Sequence, residues 1–147
     1  MKNIKPKVLA LDLEGTLISN AMSQIPRPGL YGFLERCRVL FPRVVMFTTV
    51  KEESFRAVAR LLVDEGLAPS WFSDIEYVNW TGETKDLGFI SGVDPEEVLL
   101  VDDFERYVHS GQESQWLRID YFGHPYPGND IGLSKVLAVL ESYSSPR

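Results

Sequence analysis

The chain has 147 residues, 44% of them hydrophobic, a single cysteine and a formal charge of −6 at pH 7. That length fits one domain, residues 1–147, with a sizeable core. The acidic balance and scattered lysines argue against nucleic acid as a partner, and Cys37 alone can form neither an internal disulfide nor a cysteine-based zinc site. The apolar stretch ahead of Asp12 is too short for a signal peptide or a membrane span, so a reducing, cytoplasmic setting without a membrane partner is expected.

The first predicted element is a strand over Val8–Leu11, apolar without alternation, as suits a strand buried on both faces of a parallel sheet. It ends in Asp12, Glu14 and Gly15. A polar stretch, Ser19–Gln24, leads to Ile25-Pro26-Arg27-Pro28-Gly29, a rigid entry to a helix from about Gly29 to Arg38, on which Leu30, Phe33, Leu34 and Cys37 share a face. Val44–Phe47 is the second strand, ended by Thr48-Thr49. From Lys51 to Glu65, Phe55, Val58, Ala59, Leu62 and Val63 mark one side of an amphipathic helix, with Gly66 as its stop.

A short third strand is expected over Ile75–Val78, then a turn at Asn79–Gly82 and a weak helical segment opened by Lys85. Asp94-Pro95 reads as a helix cap and first turn. The fourth apolar run, Val98–Val101, ends in Asp102-Asp103, a fifth strand is expected around Gln115–Ile119, and Asp130 caps a last helix with Ile131, Leu133, Val136, Leu137, Leu140 and Tyr143 inward. Residues Ser144–Arg147 are expected to fray. Strands alternating with helices give an α/β, Rossmann-like three-layer sandwich with a central, mostly parallel sheet of about five strands.

Three of these strands end in groups of related use: Asp12 with Glu14, Thr48, and Asp102 with Asp103, while Lys85 precedes the last pair. In a parallel sheet all strand exits lie along one edge, so these residues converge on one crevice. Crowded carboxylates repel, each close pair by on the order of 4 kcal/mol at an effective dielectric of about 20, and Lys85 alone cannot balance four of them. A divalent cation can. Oxygen-only ligands point to Mg²⁺ rather than zinc, completed by phosphate oxygens of a substrate.

The roles then divide. Asp12 is the candidate nucleophile, able to form an acyl phosphate, and Glu14 is the candidate general acid and base. Thr48 and Lys85 are placed to contact the transferring phosphoryl, with Thr49 as the alternative to Thr48. Asp12, Glu14, Asp102 and Asp103 form the candidate metal set. His109 and His124, weighed as acid/base groups, read rather as surface residues, and Trp71, Trp80 and Trp116, weighed as walls of a substrate groove, rather as core or rim.

The segments Asp12-Leu13-Glu14-Gly15-Thr16, Thr48, Lys85 and Asp102-Asp103, in this order, resemble the four motifs of the haloacid-dehalogenase superfamily of phosphohydrolases. Arg27-Pro28-Gly29-Leu30, Phe33-Leu34-Glu35, Phe47-Thr48, Lys85-Asp86-Leu87 and Val101-Asp102-Asp103 look most like the capless carboxy-terminal-domain phosphatase, NLI-interacting-factor-like group. The resemblance implies a Mg²⁺-dependent phosphatase that works through an aspartyl-phosphate on a phosphorylated substrate, a phosphoprotein, sugar phosphate or nucleotide.

The chain departs from that group at Glu14, where most members carry Asp, and at Phe104-Glu105, where the tail phosphatases have Ser-Pro. The enolase-phosphatase branch also has Asp-x-Glu-Gly-Thr and is active. The gaps Asp12–Thr48 and Thr48–Lys85 hold no separate lid domain. Capless members act on exposed phosphates of large molecules or borrow a lid from another subunit, which leaves a homo-oligomer open, with Ser19–Gln24 as a small flap. The competing reading is a binding module of the same fold that has lost turnover. A phospho-acceptor receiver domain is disfavoured because there the acidic pair comes early and the Lys last.

Overall fold

The computed structural model describes residues 5–144. Five strands, β1 (Val8–Leu11), β2 (Arg43–Met46), β3 (Glu76–Tyr77), β4 (Val98–Asp102) and β5 (Trp116–Arg118), form one sheet in the order β3-β2-β1-β4-β5. Every pairing is parallel. Three helices, α1 (Leu30–Leu40), α2 (Glu52–Asp64) and α3 (Gly132–Ser144), and several short 3₁₀ turns complete the described chain.

All four residues of β1 are buried, as are Val98–Asp102 of β4, so the unbroken apolar runs are what a two-sided sheet requires. Leu9, Leu11, Val44, Met46, Leu99 and Val101 face a large core that takes in the buried residues of all three helices. Val8, Ala10, Val45, Val98 and Leu100 face the opposite way, toward Val78, Leu87 and Ile90. The second face is therefore covered by the β3–β4 connection, which winds through 3₁₀ turns at Leu87–Phe89 and Pro95–Glu97 rather than through an α-helix. No helix among the described residues is long and apolar enough to cross a membrane.

The helix signals act as expected at most ends. Gly66 takes φ +74° and closes α2 with its N–H on the Val63 carbonyl (3.0 Å), while the Leu67 N–H reaches the Leu62 carbonyl (2.8 Å). Asp94 accepts the Glu96 N–H at 3.1 Å, but the element it caps is one 3₁₀ turn. β3 is shorter than the expected Ile75–Val78, since only Glu76 and Tyr77 pair with β2 as strand.

The inward face of α3 needs correcting. Leu133, Val136 and Leu140 are buried as expected, but Ile131 is 57% exposed and Tyr143 40%. Ile131 precedes the first turn, and two residues at the helical rotation place it about 200° from Leu133, on the far side. Ser144 closes α3, and the rest of the expected frayed tail, 145–147, lies outside the described residues.

Candidate active site

β1 is the middle strand, with β2 and β3 on one side and β4 and β5 on the other, so the order of the sheet switches at the β1–β4 boundary. A crevice opens outside the strand ends at such a switch. Register supplies its contents: Leu11 pairs with Val101, and the Asp12 N–H bonds the Val101 carbonyl at 3.0 Å, which sets Asp12 beside Asp102. On the other flank the Phe47 N–H reaches the Leu11 carbonyl (2.8 Å), bringing Thr48 to the same rim.

Asp12, Asp102 and Asp103 each offer a carboxylate oxygen within 4.8 Å of the others. Lys85 enters from the β3–β4 connection, its side chain wholly buried, with Nζ 2.9 Å from Asp12 Oδ1 and 2.6 Å from Asp102 Oδ2. Its backbone N–H is fixed to the Tyr107 carbonyl at 2.7 Å, and its ammonium lies 4.9 Å from the centre of the Tyr107 ring. Thr16 Oγ1 sits 2.8 Å from Asp12 Oδ2 and 3.2 Å from Asp103 Oδ1, so its proton ties the β1 exit to the β4 exit. Gly15 has φ +76°, and a Cβ there would stand 2.8 Å from both Asp103 Oδ2 and the Tyr121 ring. Only glycine lets the two loops approach so closely.

Charge and burial compete at these groups. Burial by itself would push the Lys85 ammonium down, yet Asp12 and Asp102 outweigh it and hold the pKa above its ordinary value. Asp102 moves the other way, raised by burial first and by the charge of Asp12 second, against the pull of Lys85. Asp103 is also raised, by burial, then by its hydrogen bond to Asp12 and the charges of its two neighbours. One ammonium leaves three carboxylates under-compensated, and the donor set is oxygen only. Those residues fit a hard divalent cation such as Mg²⁺, which takes one or two carboxylates with water and phosphate oxygens.

Glu14 stands outside this set. Its Oε2 accepts the Ala21 N–H at 2.7 Å, which tethers the Ser19–Gln24 loop. That loop is a compact turn in which Asn20 Oδ1 accepts the N–H groups of Met22 and Ser23. Thr48 is buried and its Oγ1 accepts the Val50 N–H at 3.1 Å, whereas Thr49 is exposed and lines a groove on the β2–β3 side.

Two residues of the site, Thr16 and Arg27, enter the sequence analysis only as parts of motif segments. Arg27, 1% exposed, forms a two-point ion pair with Asp130 (2.7 and 3.1 Å) and points Nη1 at the carbonyls of Gly15 and Thr16 (3.4 and 3.3 Å). Trp80 and Trp116 lie half-buried at the rim, one of the two places the sequence reading offers them, and donate their indole N–H groups to the carbonyls of Thr48 (2.8 Å) and Asp102 (2.9 Å). His109 bonds Thr84 (2.8 Å) and takes no part in the carboxylate cluster.

The arrangement has a counterpart among known families. Residues 7–146 match the family model for NLI interacting factor-like phosphatases. The chain belongs to that family. A comparison with curated proteins found no match. Membership of the NLI interacting factor-like phosphatases agrees with the α/β fold, supports phosphatase activity and implies a phosphorylated substrate. The acidic cluster occupies the sheet's switch point.

Proposed function

We propose that the chain, as one phosphatase domain, hydrolyses phosphate monoesters through an aspartyl-phosphate on Asp12 and depends on Mg²⁺. The observation that carries the reading is the meeting of Asp12, Asp102 and Asp103 with the ammonium of Lys85 at a single switch point. A cytoplasmic setting is part of the same reading. Asp12, Asp102 and Asp103 would hold the ion, which when bound neutralises phosphate oxygens and keeps Asp12 ionised.

Asp12 attacks phosphorus with one carboxylate oxygen, forming a P–O bond as the bond to the leaving oxygen breaks. Glu14, whose Oε1 is left over from the Ala21 bond, gives its proton to that leaving oxygen. In the second half Glu14 takes a proton from water, the water oxygen bonds to phosphorus, and Asp12 and inorganic phosphate are released. Lys85 and the Thr48 hydroxyl stabilise the charge on the transferring group.

The test is hydrolysis of p-nitrophenyl phosphate with Mg²⁺ and with EDTA. Turnover is expected only with metal, and Asp12→Asn should abolish it while leaving the thermal melt cooperative. Turnover in EDTA, or full activity of Asp12→Asn, overturns the reading. Tight phosphopeptide binding without turnover under any divalent metal would instead make the chain a binding module.

A further inference from the structure

Beside the carboxylate cluster runs a groove of about 370 Å³ lined by Thr48, Thr49, Lys51, Tyr77, Asn79, Trp80 and Gly82. It shares Thr48 with the reaction centre, and none of Asp12, Asp102 and Asp103 lines it. Its volume lies at the lower end of the range for small-molecule sites, enough for a short chemical group rather than a large one.

The walls are preformed. Trp80 is fixed by its indole N–H on the Thr48 carbonyl (2.8 Å) and by edge-on packing against Phe47 (5.6 Å) and Tyr107 (6.4 Å). The Tyr77 hydroxyl donates to the Val50 carbonyl. A wall already ordered costs little further entropy when a ligand lies on it.

The groove carries one full cation, and it is uncommitted. Lys51 is exposed and makes no ion pair among the described residues. The carboxylate next to it in sequence, Glu52, is held by Arg56 at 3.0 Å. Lys51 is also the N-cap of α2, whose first turn carries Glu52 and Glu53, so the helix end is already offset and Lys51 itself is the charge available to a ligand. Asn79 contributes an exposed amide to the same wall. In a chain of charge −6, a lone ammonium three residues from Thr48 favours an anion there.

We infer that this groove binds the alcohol half of the substrate and that Lys51 reads a second anionic group on it, making the preferred substrate a phosphate monoester with a carboxylate or second phosphate near the ester. The inference rests on the phosphatase reading above. A flat or apolar linker lies along Trp80, and Lys51 with Asn79 takes the anion. An acidic side chain beside a phosphorylated residue and a small phosphorylated acid present the same chemistry.

The test compares phenyl phosphate with 3-carboxyphenyl phosphate, and a phosphoserine peptide flanked by Glu with one flanked by Gln, for the wild type, Lys51→Arg and Lys51→Glu with Mg²⁺. The wild type should favour the anionic member of each pair by about three- to tenfold in kcat/KM at low salt, mostly through KM, as expected for a partly exposed charge contact. Lys51→Arg should keep the preference and Lys51→Glu should reverse it. The pair with the larger Lys51-dependent ratio identifies the source of the anion. Equal turnover of both members by the wild type, or a preference that survives Lys51→Glu, overturns the inference and leaves the phosphatase reading standing. Absence of turnover on every ester removes both.

Discussion

At the scale of single residues the informative position is Glu14, whose extra methylene relative to aspartate has a visible use. It lets Oε2 reach the Ala21 N–H at 2.7 Å while Oε1 makes no hydrogen bond among the described residues. Glu14→Gln keeps an acceptor for Ala21 but has no proton to give. On an alkyl phosphate, whose leaving oxygen is strongly basic, kcat should fall by about 10² to 10⁴, the usual worth of a positioned acid. On p-nitrophenyl phosphate, whose leaving group departs without help, the drop in the first half-reaction should be much smaller. Burst-phase kinetics on the two esters separates formation of the acyl phosphate from its hydrolysis. An equal loss of the first step on both would mean that Glu14 positions the loop and transfers no proton.

At the scale of elements, the loop after β1 is held by α3 as well as by its neighbours in the sheet. Arg27 joins them: its guanidinium pairs with Asp130, which also accepts the Gly132 N–H at 3.0 Å at the start of α3, and Nη1 lies against the Gly15 and Thr16 carbonyls. Asp130→Asn leaves a buried guanidinium without its counter-charge. That should lower stability by about 3 kcal/mol, the lower end for a broken buried pair because Asp130 retains some exposure. Urea unfolding should show a lower midpoint at unchanged slope, and a midpoint within error of wild type would mean that the pair holds nothing. This contact also marks where sequence reading runs out. Asp12, Thr48 and Asp102 were legible because each ends an apolar run, and a parallel sheet puts all such ends on one edge. Lys85 was legible only through its order in the motifs. Arg27 and Asp130 are 103 positions apart and neither lies on a periodic face, so nothing local announces their pairing. For the same reason the sequence did not reveal that all three helices share one face of the sheet while 3₁₀ turns cover the other.

At the scale of the whole molecule, the site stores a conflict that should be readable as stability against pH. Burial, then the charge of Asp12, raises Asp102 to about 6, and burial, then the hydrogen bond to Asp12 and the charges of Asp12 and Asp102, raises Asp103 to about 7, from an ordinary 3.8. A carboxyl raised on folding makes the folded state bind more protons than the unfolded chain between those limits, so stability falls as pH rises through that window. The lowered groups, Asp86 and Asp130, change stability only below the ordinary carboxylate value, and raised Lys85 only above 10.5. In EDTA the protein should therefore have a higher Tm at pH 5 than at pH 8. On the proposed reading Mg²⁺ would bind the ionised carboxylates, so its stabilisation should be larger at pH 8 and reach about 2.7 kcal/mol at a hundredfold excess over Kd. Asp103→Asn removes one of the crowded charges and one of the three candidate oxygen ligands together. In EDTA at pH 8 it should be more stable than the wild type, and it should lose most of the Mg²⁺ response, as expected where stability has been given up for a charged site. Calorimetric scans of both proteins at the two pH values, with and without Mg²⁺, decide the matter. A wild-type Tm that rises from pH 5 to pH 8 in EDTA, or an Asp103→Asn protein that responds to Mg²⁺ as the wild type does, would show that the three acids neither strain the fold nor hold the ion.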